Sequence, residues 1–162
     1  MFRRRTRDES LAAVGRRADS ADSAGNGTQV VPSNALLQQI LDEYGLKHTT
    51  DEDGDLTVRW ESCNVFFFYY GDKHEVLQAR LYLNRRFSVD LRPTVALMLD
   101  DWNRTRLFPK AYTVLPDDGM VGICAEQCYD FEAGVTRAQL KYTVGVWIDT
   151  LLRFAQWVED QV

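Results

Sequence analysis

The feature that most constrains this chain is the stretch of residues 90–112, DLRPTVALMLDDWNRTRLFPKAY. Val95, Met98, Leu99 and Trp102 fall at i, i+3, i+4 and i+7, the apolar stripe of a helix lying on a core. Asp100 and Asp101 point away from that stripe. Pro93 suits a first helical turn, where a missing N–H costs little. Pro109 forbids continuation, and Phe108 before it is pushed toward extended backbone. The chain is thus organised around one helix that closes in an arginine-rich turn and passes into a strand through Phe108, Pro109 and Lys110.

The flanking sequence supplies the other elements. Ser33 and Asn34 cap a helix running to Tyr44, with Leu36, Leu37, Ile40, Leu41 and Tyr44 on one face and Gly45 as its stop. Residues 46–50 form a short strand. Residues 56–60 alternate apolar and polar, a half-buried strand. Residues 65–70, VFFFYY, are aromatic on both faces and read as a central strand covered on two sides. Residues 76–83 form another long strand. Tight turns at Asp53, Gly54 and at Gly71, Asp72, Lys73 make these four strands an antiparallel meander. Residues 111–115 and 120–129 form a hairpin around Pro116, Asp117, Asp118 and Gly119. Thr136 with Gln139 is a capping box that opens the last helix. Leu140, Val144, Trp147, Ile148, Leu151, Leu152, Ala155 and Val158 are its stripe. The order helix–meander–helix–hairpin–helix predicts an α+β fold with three helices.

Residues 1–33 read as a disordered tail, charged at first and then small and polar, with too little apolar surface to offset the entropy of ordering. Residues 34–162 read as a single domain. Three cysteines, Cys63, Cys124 and Cys128, do not make a disulfide framework. No run reaches the ~18–20 apolar residues of a membrane span. The arginines near the start are followed by no apolar stretch of signal-peptide length. A cytoplasmic location follows as the expectation, with no membrane partner.

Known chemistries find little purchase. No phosphate-cradling glycine loop and no GxSxG elbow occurs. Counted from Asp51 as a calcium loop, glycine falls at the fourth position and Ser62 at the twelfth, which does not match. Cys124 and Cys128 sit in a predicted strand, where four residues separate them by ~13 Å, too far for one metal. His48 and His74 have no paired ligand spacing. The expectation is no catalytic residue, no metal and no cofactor.

Asn84, Arg85, Arg86 and Phe87, then residues 101–112, DWNRTRLFPKAY, then residues 131–136, FEAGVT, with Gln139 and Leu140, resemble the YbjN family of bacterial sensory transduction regulators. The likeness covers about residues 34–160. It implies a fold like the type III secretion chaperones, a twisted antiparallel sheet flanked by helices and often dimeric, with no established enzyme activity. The element order read from the residues agrees with it.

Two function classes follow. One is a non-enzymatic regulator or chaperone-like module that binds a polypeptide. The other is a small-ligand protein or enzyme with a site between sheet and helices, which a deep polar pocket would mark. Net charge is −5, yet residues 80–110 carry seven basic and three acidic side chains. Arg85, Arg86, Arg104 and Arg106 are expected to form one basic ridge beside Trp102, gripping carboxylates of the partner. Nucleic acid is disfavoured by the interspersed acids. Tyr142, Val146 and Trp157 lie off the stripe of the last helix, and this surplus apolar face predicts a homodimer.

Overall fold

The structure is a computed structural model and describes residues 28–161. Its elements are β1 (Gln29–Val30), α1 (Asn34–Glu43), β2 (His48–Thr50), β3 (Leu56–Arg59), β4 (Cys63–Tyr70), β5 (Val76–Leu83), α2 (Arg92–Thr105), β6 (Lys110–Val114), β7 (Gly122–Asp130), β8 (Val135–Thr136) and α3 (Arg137–Gln161). Six strands form one antiparallel sheet in the order β2-β3-β4-β5-β7-β6. The fold is α+β: three helices and a six-stranded antiparallel sheet.

The meander expected from the turns is present as β2 to β5. The hairpin joins it through its second strand, so that β7 lies between β5 and β6. Turn residues report which strands are consecutive; they carry no signal for which strand of a hairpin meets an older sheet. Much of the tail expectation lies outside the described residues. At its C-terminal end the chain is already ordered, because Gln29 and Val30 pair with Thr136 and Val135.

Helix ends follow local chemistry. The Ser33 hydroxyl accepts from the Leu36 N–H at 3.3 Å, and Gly45 takes φ +70° just past α1. Thr136 and Gln139 close the expected capping box, each side chain accepting the other's backbone N–H at 3.2 Å. Strand alternation then sends Val65, Phe67, Leu77, Ala79, Leu81, Ile123 and Ala125 to one face, all fully buried under the helices. At ~1.5 Å per residue, α3 spans about 37 Å and lies along that core with Leu140, Val144, Ile148, Leu151, Phe154 and Val158 buried. Among the described residues no helix is long and apolar enough to cross a membrane.

Two contacts fix the helices. The Tyr44 ring, at the end of α1, lies over Gly145 of α3, and its hydroxyl donates to the Lys141 carbonyl at 2.7 Å. At the other end, Asn103 of α2 reaches the outer edge of the sheet. Its amide Nδ2 donates to the Ala111 carbonyl at 2.8 Å, and its Oδ1 accepts the Ala111 N–H at 3.0 Å. One side chain therefore supplies the pair of bonds that another strand would give to β6.

Glycine inside a helix normally costs about 0.8–1 kcal/mol against alanine. At position 145 a methyl group would stand 2.5 Å from the Tyr44 hydroxyl oxygen and 2.9 Å from its ring. Overpacking of that kind costs roughly 1–3 kcal/mol, so Gly145→Ala is expected to lower the urea midpoint rather than raise it. Asn103→Ala strips both partners from Ala111 and is expected to cost about 1–3 kcal/mol in the same assay, with concentration-dependent association through the uncovered edge.

Candidate functional site

The second face of the sheet carries Thr57 and Arg59 on β3, Asn64, Phe66, Phe68 and Tyr70 on β4, and Gln78, Arg80 and Tyr82 on β5. Gly122, Cys124, Glu126 and Cys128 on β7 and Lys110, Tyr112 and Val114 on β6 complete it. VFFFYY was expected to be covered on both sides. Helices cover the Val65 and Phe67 side, whereas Phe66 and Phe68 stay half-buried and Tyr70 is 45% exposed. The second covering layer is made by neighbouring side chains of the sheet itself.

Cross-strand register assembles that layer. Phe66, Arg80, Glu126 and Lys110 stand in one row, and Asn64, Tyr82, Cys124 and Tyr112 in the next. Phe66 stacks beside Phe68 at 6.0 Å and meets the edge of Tyr82 at 5.7 Å. Arg80 lies over the Phe68 ring at 5.4 Å and Lys110 over the Tyr112 ring at 5.2 Å. Glu126 is the hub. It accepts from Arg80 Nε at 3.0 Å, from the Tyr112 hydroxyl at 2.7 Å and pairs with Lys110 Nζ at 2.5 Å. Burial alone raises the Glu126 carboxyl, but the bonds from Lys110 and Tyr112 and the charges of Lys110 and Arg80 outweigh it and hold the group below its ordinary value. Burial, with the bonds to Cys124 and Glu126, pushes the Tyr112 hydroxyl up. Burial raises the Cys124 thiol, the opposite of what a nucleophile needs.

The residues of the expected ridge do not lie together. Trp102 is buried: its indole N–H donates to the Pro109 carbonyl at 3.0 Å, and its ring packs on Phe154 at 5.1 Å and Trp157 at 4.9 Å. Arg106 covers the same indole at 5.5 Å. Arg104 pairs with Asp101 at 2.5 Å on the exposed side of α2. Arg85 pairs with Glu159 at the end of α3 at 3.5 Å and lies over Phe87. Arg86 turns to the open face. It donates to the Leu83 carbonyl at 3.0 Å and covers Gly122, where an added methyl would meet its guanidinium at 2.8 Å. Consecutive residues of an extended chain point to opposite sides, so Arg85 and Arg86 part company. Of the surplus face of α3, Tyr142 and Val146 are exposed one turn apart, while Trp157 is half-buried against Trp102.

Sequence reasoning missed Arg80, Tyr82, Tyr112 and Glu126. The signal available was Arg80 and Glu126 themselves, opposite charges in the middle of long strands, a cross-strand pair awaiting its register. Among the described residues no group of histidine, cysteine and acidic side chains is placed to hold a metal.

Because folding lowers the Glu126 pKa, its ionised form stabilises the fold above the unfolded-state pKa of about 4.5, and that contribution is lost as pH falls through the lower folded value. Glu126→Gln is therefore expected to be less stable than the parent near pH 7. The gap should narrow as the solution is taken below the ordinary carboxylate range, read as urea midpoints at stepped pH. Parallel curves would mean that the Glu126 charge is not what the cluster holds.

The YbjN family model, described as "Putative bacterial sensory transduction regulator", matches residues 33–160. The comparison with curated proteins gave no match. Among solved structures, the "Crystal structure of YbjN, a putative transcription regulator from E. coli" superimposes with a TM-score of 0.62 at 18% identity, covering 80% of this chain and 96% of that one. At that identity the likeness speaks for the fold. With the family model spanning most of its length, the chain belongs to the YbjN family.

Proposed function

We propose that this chain is a non-enzymatic cytoplasmic regulator that acts by binding a polypeptide on the open face of its sheet. One observation supports the reading most. A sheet face left to water ordinarily alternates to polar residues. This one carries Phe66, Phe68, Tyr70, Tyr82 and Tyr112 in adjoining rows, with all their ring contacts made to side chains of the same face. Aromatic side chains on a rigid platform, rimmed by arginine, are the usual anchors of a protein interface. The family's description as a regulator, and the three free cysteines that suit a reducing compartment, fit the same reading.

The test uses the intact protein. Phe68→Ser with Tyr82→Ser is expected to remove a polypeptide that the parent captures by cross-linking in its own lysate, with the fold retained by circular dichroism. Identical capture by both proteins would move the site elsewhere.

A second contact is proposed between two copies, through Tyr142 and Val146 of α3, which are 61% and 37% exposed on one face of the helix. Light scattering after size exclusion is expected to give twice 18.7 kDa, and Val146→Asp the monomer. A parent protein that stays monomeric at high concentration removes this contact.

A further inference from the structure

Charge on the open face is one-sided. Arg59, Arg80, Arg86 and Lys110 stand there against Glu126, while Glu61 lies in the adjoining turn and Asp130 at the far end of β7. Glu126 is buried and already holds Arg80, Lys110 and Tyr112. Among the described residues neither Arg59 nor Arg86 has an ion pair. A chain with net charge −5 thus gathers a local excess of positive charge on its aromatic face.

We propose that this face receives an acidic, extended segment of the polypeptide partner, laid across the strands along Tyr82, Cys124 and Tyr112. Arg80 and Lys110 flank that row on one side and Arg86 on the other; Arg59 stands at its β3 end. From β3 to β6 the row crosses four strand spacings, about 19 Å, the reach of roughly six extended residues. Carboxylates of such a segment meet guanidinium donors that remain free: Arg80 gives Nε to Glu126 and one Nη to Tyr82, and Arg86 gives one Nη to Leu83. The inference rests on the polypeptide-binding reading and names the chemistry of the partner.

Two observations favour a short acidic peptide over a nucleic acid strand. Cations already occupy the faces of Phe68 and Tyr112, on which bases would stack. A nucleic acid also carries phosphate along its whole length, and beyond this patch it would run onto a chain in which 24 acidic side chains outnumber 19 basic ones.

The probes are a fluorescein-labelled decapeptide of aspartate and glutamate with one central phenylalanine, its asparagine and glutamine counterpart, and a single-stranded DNA decamer, titrated with the full chain by anisotropy. The acidic peptide is expected to bind, about tenfold more weakly at ~300 mM than at ~50 mM salt. Arg59→Glu with Arg86→Glu is expected to weaken it by about tenfold or more, whereas Arg153→Glu, the same kind of charge reversal on exposed α3, leaves it unchanged. Arg86 also packs on Gly122, so Arg59→Glu alone, at an exposed position without ion pairs, serves if the double variant loses stability; a roughly threefold loss is expected there. Equal binding of the neutral peptide, abolished by Phe68→Ser with Tyr82→Ser, overturns the acidic partner and leaves the polypeptide reading standing. Binding of the DNA in preference to both peptides overturns both. Binding of none of the probes, or indifference to the Arg59 and Arg86 reversals, overturns the proposal.

Discussion

The rest of the molecule depends on the packing of Trp102 and the bonds of its neighbour Asn103. The indole is held between Phe154 and Trp157 of α3 and the Pro109 carbonyl, so it ties α2 to α3 and to the start of β6. Asn103, next in sequence, points about 100° further round the helix and closes the edge of β6 at Ala111. Two consecutive residues therefore fix where α2 sits, where the sheet ends and what backs the last turns of α3. A buried tryptophan offers large apolar area with one polar atom that must be satisfied, and the Pro109 carbonyl satisfies it. The Phe108–Pro109 peptide is cis.

Placing the helices against one side of a six-stranded sheet leaves the other side to its own side chains. There the Glu126 cluster and the rings solve the covering problem together. A buried ion pair is weak evidence for stability, since apolar residues of similar size often do as well. What Arg80, Lys110 and Glu126 do provide is position: the paired cations lie over Phe68 and Tyr112 and hold those rings in register on the face. The open face and the α2 edge also divide the labour of avoiding aggregation. The edge is closed by the two hydrogen bonds of Asn103, only eight residues away in sequence, and cations lie over the rings of the face.

Most of the fold was legible because it rests on local periodicity. The stripe of α2, the capping box at Thr136, the glycine stop at Gly45 and the turns of the meander each lie within a few residues of the element they define. What was illegible is non-local. That β7 rather than β6 meets β5, that Gln29 and Val30 pair with Thr136 and Val135, and that Asn103 serves as a strand surrogate all depend on partners distant in sequence or on the register of the sheet. The candidate site suffered most from this. Val65 to Tyr70 looks alike on both faces, and only the position of the helices distinguishes the buried Phe67 from the half-open Phe66 and Phe68.

The charge excess of residues 80–110 shows how sequence proximity misleads about a surface. Seven cations lie close along the chain, yet strand and helix geometry sends them to different tasks. Arg85 steadies the end of α3 through Glu159, Arg104 pairs with its own helix neighbour Asp101, and Arg106 lies on Trp102. The exposed pairs contribute little, about 0–1 kcal/mol each. Arg80 and Lys110 converge on Glu126 from strands on either side of β7. Arg86, one residue from Arg85, reaches the same face as they do because an extended backbone alternates, and Arg59 joins them from a strand more than twenty residues earlier. The positive surface of this protein is therefore a property of the sheet's pleat and register, drawn from three separate parts of a sequence that is acidic as a whole.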